Sequence, residues 1–290
     1  MQKKYEIRSD FADEFISADI HSKTYEHIEK RNEYIRSNYI KVLEDENELG
    51  KMKGDYVSIE CKELDDHVIR ENMIEAIQEN LMHMTVNMNI DLRKILVVGL
   101  GNRFITSDAL GPGVANEILV TAHLYANEEA RYLKGTRDVA VLTPGVMGQT
   151  GLESLSIVQS VAKTYQPDLI IAIDALATRN IARINRVVQI NNTGIAPGSG
   201  VGNHRMSLNE KTLHIPVIAL GVATVTSIGA ILQETLEDLA TREEILENIA
   251  DKQHLNLVVT PKSMDNELKN LIYIVSQSLN QFLHPDYQNL

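Results

Sequence analysis

The run Lys94-Ile-Leu-Val-Val-Gly-Leu-Gly-Asn-Arg-Phe-Ile-Thr-Ser-Asp-Ala-Leu-Gly-Pro-Gly113 decides the fold. Residues 95–98 are apolar and mostly β-branched, as in a strand buried on both faces. Gly99 and Gly101 end that strand and permit a tight turn. A loop with one carboxylate, Asp108, follows, and then a helix expected over 114–126. Strand, glycine turn, acidic loop and helix make the first unit of an open α/β sheet, where working groups gather beyond the carboxyl ends of the strands. Two nucleotide-binding readings fail here. A dinucleotide fingerprint needs a third glycine where Phe104 stands, and no Gly-Lys-Ser/Thr occurs. The plain alternative is a glycine turn carrying a solvated acid.

Outward from this unit, helices and strands alternate. Residues 139–142 read as a short strand ending in the loop Thr143-Pro-Gly-Val-Met-Gly-Gln-Thr-Gly151, with a helix over 152–165. Residues 169–173 read as a fully buried strand with Asp174 at its carboxyl end. An acid there must be solvated, paired or functional, because burying it alone costs several kcal/mol. Further strands are expected at 186–191 and 215–222, separated by the glycine loop of 195–203, and the apolar run 222–232 leads into a helix. A charged helix at 239–248, with Thr241 and Glu244 as its capping box, a short strand at 258–262 and a last helix at 265–282 complete the chain. The alternation predicts an α/β fold of three layers, a mostly parallel sheet with helices on both faces, built from about residue 94 to 282 as one domain with an N-terminal extension. In that extension, residues 21–50 read as partly helical and 54–62 as a half-exposed strand. Asp65 or Asp66 caps a helix with Val68, Ile69, Met73, Ile74, Ile77, Leu81 and Met84 on one stripe.

Composition narrows the function. The 290 residues carry a formal net charge of −12, which argues against direct contact with nucleic acid. No apolar run reaches membrane-spanning length, and the N-terminus lacks the apolar core of a signal peptide. The single cysteine, Cys61, fits a reducing, cytoplasmic compartment and reads as a small core residue. The nine histidines include no HExxH or HxxEH pair, so no zinc motif is visible. If the strands before Asp108 and Asp174 are neighbours, both carboxylates meet at one sheet edge. Two carboxylates sharing a site cannot both ionise easily. One then acts as general base on a water while the other polarises a carbonyl, which is peptide hydrolysis by paired acids.

Several blocks resemble the germination proteases of spore-forming bacteria. They are Gly99-Leu-Gly-Asn102 with Asp108-Ala-Leu-Gly-Pro112, the loop 143–151, residues 168–177, Pro197-Gly-Ser-Gly-Val-Gly-Asn203, Gly221-Val and Val259-Thr-Pro-Lys262. The central part is also similar to the hydrogenase maturation proteases, which share the GxGN turn and an acid at the Asp108 position. The resemblance implies an aspartic-type endopeptidase of phosphorylase/hydrolase-like fold, with catalytic Asp108 and Asp174. Substrate-binding loops would carry Gly101, Asn102, Gly145, Gly148, Gly198, Gly200 and Asn203. It further implies a homotetrameric, self-processing zymogen of the forespore and spore core, whose substrates are the small acid-soluble DNA-protecting spore proteins. Cleavage between an acid and a large apolar residue followed by alanine would fall, within this chain, at Asp10-Phe11-Ala12. Residues 1–10 would be the propeptide and 11–290 the endopeptidase domain. The segment Gly221-Val-Ala-Thr-Val-Thr-Ser227 departs from the family pattern in lacking a proline and an acid. Maturation proteases hold nickel with a histidine and two acids; no histidine here, His204 included, sits in such a motif, so neither metal nor cofactor is expected. The alternatives are a nickel-dependent maturation-type peptidase and a non-catalytic peptide-binding module.

Overall fold

The computed structural model describes residues 9–16, 22–127, 134–196, 206–235 and 257–286. Residues 21–50 correct the helical expectation: they hold β1 (Tyr25–Arg31) and β2 (Ile35–Val42), paired antiparallel. Asn32 makes the turn, its Oδ1 accepting from the N–H groups of Tyr34 and Ile35, both at 2.8 Å. Strand β1 is an edge whose residues after Tyr25 are all exposed, so it carries no apolar alternation to read. Strand β3 (Gly54–Cys61) is buried on both faces over residues 56–59 rather than half-exposed. Helix α1 (His67–Asn87) starts at Asp66, whose side chain accepts from Val68 N at 2.7 Å. Its stripe is buried as expected except for Val68, which is exposed.

The central unit forms β4 (Lys94–Gly99), a 3-10 turn at Thr106–Asp108 and α2 (Leu110–Glu117). The expected helix over 114–126 breaks at Ile118, which is extended, and resumes as α3 (Ala122–Ala126). Side chains hold the break open: Asn280 accepts from Leu119 N and donates to Glu117 O, both at 2.9 Å. Strand β5 (Asp138–Leu142), the helical turn α4 (Met147–Thr150), α5 (Ser154–Tyr165) and β6 (Leu169–Ala177) follow. Then come β7 (Val187–Asn191), the turn α6 (Glu210–Leu213), β8 (Val217–Ser227), α7 (Ile228–Thr235), β9 (Val258–Val259) and α8 (Met264–Leu283). Residues 222–227, expected to lead into helix, remain in β8. The charged helix expected at 239–248 lies outside the described residues.

The sheet order is β1-β2-β3-β7-β8-β6-β4-β5, with β9 on β8. Strands β5, β4, β6 and β8 pair in parallel, and every other pairing is antiparallel. The sheet is therefore mixed, and the expectation of a mostly parallel one is corrected. The cause is connection length. Helices link β4, β5 and β6, whereas only residues 178–186 separate β6 from β7, too few for a crossover, so β7 returns antiparallel. Residues before Lys94 add β1–β3 to this same sheet.

Alternate residues of the parallel strands serve opposite faces, which explains their unbroken apolar runs. Ile95, Val97, Ile171 and Ile173 pack with Met73 and Ile77 of α1, Val114 of α2 and Ile274 of α8. Leu96, Val98, Ile170 and Ala172 pack on the other face with Leu155 and Val158 of α5. Beyond α5, part of that second face is covered by residues 9–16. Phe11 packs on Leu176, Val187 and Ala223, and Ala12 on Tyr25, Ile40 and Tyr56.

Candidate active site

The two acids reach one edge through strand register. Gly99 lies opposite Ile173, and Leu100 N donates to Ile173 O at 2.8 Å, so Asp174 stands just past the point where β4 becomes loop. The strand expected to end before Asp174 runs on to Ala177, which places Asp174 within β6, buried at 4% exposure. Its Oδ1 accepts from Ala175 N at 2.9 Å. The opposite residue on β8 is Gly221.

Asp108 ends the 3-10 turn after β4 and is half-buried. Asn102 N donates both to its carboxylate Oδ2 at 2.8 Å and to its carbonyl at 3.0 Å. This fold-back requires Gly101, whose φ is +111° and whose Cβ, if present, would lie 2.1 Å from Asp108 O. Gly111 of α2 is equally constrained, because a Cβ there would lie 2.2 Å from Leu100 O and 2.6 Å from Ile173 O. Thr224 of β8 donates to Ser107 O at 2.7 Å, tying the acidic loop across β6. Asp108 thus follows the carboxyl end of β4, and Asp174 lies in the adjacent parallel strand one residue beyond the partner of Gly99, near the region where open α/β sheets build sites.

The loop 143–151 meets the turn that carries Asn102. Gln149 Nε2 donates to Asn102 Oδ1 at 2.6 Å, and that oxygen also accepts from Phe104 N at 3.0 Å. Gly145, at φ +71°, lies beneath the Gln149 side chain, whereas Gly148 faces open space. The two linked loops expose apolar side chains, Phe104 at 82%, Ile105, Met147 and Leu152, as a surface that meets a polypeptide would. The sequence reading gave Gln149, Phe104 and Ile105 no role; the adjacent apolar pair Phe104-Ile105 inside the loop 102–108 was the available signal. Gly198, Gly200, Asn203 and His204 lie outside the described residues. Among the described residues, no group of three His, Cys, Asp or Glu side chains could hold a metal ion.

Asp10 and Phe11 lie on the same edge. Asp10 N donates to Ala177 O at 3.0 Å, and Ala177 N donates to Asp10 Oδ2 at 2.8 Å. Lys51 Nζ and Gln189 Nε2 each donate to Asp10 O at 3.0 Å. Phe11 is fully buried beneath the Arg183 guanidinium, 4.9 Å from its ring. Arg183 itself is buried and bonds Asp13 and Glu14 at 2.8–3.0 Å. Its Nε stands 3.2 Å from Glu60 without hydrogen-bond alignment. Lys51, Gln189 and Arg183 escaped the sequence reading. Gln189 had a signal, as the polar residue in an apolar strand; Lys51 and Arg183 had none.

A mixed α/β sheet whose adjacent parallel strands bring two acids to one region places the chain in the class of open α/β proteins that build sites at the carboxyl ends of their strands. A model of the germination protease family matches residues 6–240, and the chain belongs to that family. It is a peptidase, hence a hydrolase. A germination protease of Caldanaerobacter subterraneus subsp. tengcongensis is 37% identical over 283 residues, covering 89% of this chain and 87% of that one. One from Clostridium perfringens is 35% identical over 97% of this chain and 96% of its own. One from Priestia megaterium is 41% identical over 72% of this chain and 58% of its own. Among solved structures, the NiFe hydrogenase maturation protease HycI from Thermococcus kodakarensis covers 64% of this chain and 92% of its own, at 16% identity and TM-score 0.34. Among the described residues, no helix is long and apolar enough to cross a membrane.

Proposed function

We propose that this chain is the endopeptidase that opens the degradation of small acid-soluble, DNA-protecting spore proteins at germination, with Asp108 and Asp174 as its catalytic pair. The observation that carries this reading is the approach of both acids to one region of the sheet, Asp108 just past the carboxyl end of β4 and Asp174 in the adjacent strand β6 one residue beyond the partner of Gly99, in a chain of the germination protease family. One carboxylate takes a proton from a water as it adds to the scissile carbonyl. The other, protonated, delivers its proton to the departing nitrogen. Asn102, held to both Asp108 and Gln149, fixes the first acid against the loop 143–151. Phe104, Ile105, Met147 and Leu152 supply apolar contact for the substrate chain.

In this reading the protein is a homotetrameric zymogen of the forespore and spore core that removes residues 1–10 by cutting after Asp10. Intact-mass analysis of the purified chain at mildly acidic pH, beside Asp174→Asn, tests it. Loss of residues 1–10 from the wild type alone is the expected result. Loss from both chains would remove Asp174 from the mechanism. Tight binding of an acid-Phe-Ala peptide without any cleavage would replace the enzyme by a binding module.

A further inference from the structure

The carbonyl of Asp10 is enclosed more strongly than a resting peptide group requires. It accepts from the Lys51 ammonium and the Gln189 amide, each at 3.0 Å. Lys51 also donates to Ser9 O at 3.1 Å, and Gln189 Oε1 accepts from Ala12 N at 2.9 Å. One glutamine thereby grips both sides of the Asp10–Phe11 bond. Ala177 N fixes the Asp10 carboxylate, and the apolar cluster of Leu176, Val187 and Ala223 fixes the Phe11 ring. Register places Gln189 on the same face of the sheet as Asp174. Gln189 lies opposite Gly221, and Gly221 lies opposite Asp174, so Gln189 and Asp174 rise from the same face on either side of a residue without a side chain. A cation and an amide donor 2.7–3.1 Å from a carbonyl oxygen gain most when that oxygen becomes negative.

We propose that Lys51 and Gln189 are the oxyanion-stabilising pair for hydrolysis of the Asp10–Phe11 bond, an inference that rests on the self-cleavage read above. The water oxygen bonds to the Asp10 carbonyl carbon while one site carboxylate takes its proton. The carbonyl oxygen becomes an oxyanion against Lys51 and Gln189. When the carbon–nitrogen bond breaks, the Phe11 nitrogen receives the proton of the second carboxyl group. Collapse leaves an α-carboxylic acid on Asp10, which passes its remaining proton to the new amine; the products are an α-carboxylate on Asp10, still facing the Lys51 ammonium, and an α-ammonium on Phe11. Lys51 is half-buried: desolvation lowers its pKa, and the charges of Asp10, Glu14 and Asp13 oppose that fall.

The test is the first-order rate of loss of residues 1–10, by intact mass, for the wild type and Lys51→Met, Lys51→Arg and Gln189→Glu. Losing one such donor costs about 10²–10³ in rate. Lys51→Met should fall by that factor, and Lys51→Arg should recover most of it. Gln189→Glu keeps the acceptor for Ala12 N but removes the donor to Asp10 O, and should also be slow. Hydrogen exchange of residues 9–16, measured in Asp174→Asn and in Asp174→Asn/Lys51→Met, separates chemistry from tethering. Equal protection in both supports the proposal, and protection lost with Lys51 would reduce it to a structural tie. A Lys51→Met chain cutting within about threefold of wild type overturns the proposal alone, being far below the loss a missing donor causes. A wild type that never cuts after Asp10 overturns the self-cleavage reading as well.

Discussion

His284 closes α8 with Nε2–H donated to Leu119 O at 3.0 Å and Nδ1 accepting from Arg137 N at 3.3 Å. Both ring nitrogens are thus committed in the neutral form. Burial first, then the charge of Arg137, holds its pKa below the ordinary value, against the opposing bond to Leu119. A histidine depressed in the folded state binds fewer protons than in the unfolded chain. Its contribution is present above the unfolded value of about 6.5 and is lost as pH falls towards the folded one. The thermal midpoint should therefore drop more between pH 7 and 5 in the wild type than in His284→Gln; parallel curves would contradict this. Cys61 is a second case. Burial pushes its thiol up to about 12, and Sγ lies 3.7 Å from Arg186 O, so it should resist thiol reagents in the folded protein and react only on unfolding. The sequence made Cys61 legible as a core residue because its neighbours are strand-like. It could not reveal His284, whose state is set by Leu119 and Arg137, far away along the chain.

At the scale of elements, legibility followed burial pattern. The strands β4 and β6 were readable because burial on both faces leaves long apolar runs, and α1 because one stripe repeats with helical period. The hairpin of β1 and β2 was not readable, since its outer strand has nothing buried after Tyr25. The carboxyl ends of β6 and β8 were also missed. There Asp174 and Gly221 interrupt the apolar run, yet the ladder continues opposite Ala175, Leu176 and Ala177. Where a cap was read, it can be tested. Asp66→Ala removes the acceptor for Val68 N and should cost about 1 kcal/mol of stability by denaturant unfolding, with no change in peptidase rate. A stability equal to wild type would mean that another acceptor replaces it. Gly111→Ala should do more, because the added carbon meets two backbone carbonyls that link β4 to β6 and neither can move independently. Loss of cleavage together with a lowered thermal midpoint is expected there.

The whole molecule depends on a contact that no periodicity announces. The sheet's second face is covered by α5 over the parallel strands, and by residues 9–16 over the strands that follow. The sequence reading separated residues 1–10 from the rest and gave Phe11 no packing role, because the partners of Phe11 lie on β6, β7 and β8. Two truncations distinguish a removable segment from an integral one. A chain of residues 11–290 keeps Phe11, Ala12 and the pairing of Arg183 with Asp13 and Glu14. A chain of residues 17–290 leaves the buried Arg183 guanidinium with Glu60 alone and uncovers Leu176, Val187 and Ala223. Breaking a buried ion pair costs about 3–5 kcal/mol, and emptying a phenylalanine site costs about as much again. Their sum approaches the whole stability of an ordinary domain, about 5–15 kcal/mol. With Asp174→Asn in both chains to prevent cutting, 11–290 should unfold cooperatively near the full-length midpoint, and 17–290 should show no cooperative transition. If 17–290 melts as sharply and as high as 11–290, residues 11–16 are a dispensable cover, and the fold is complete without them.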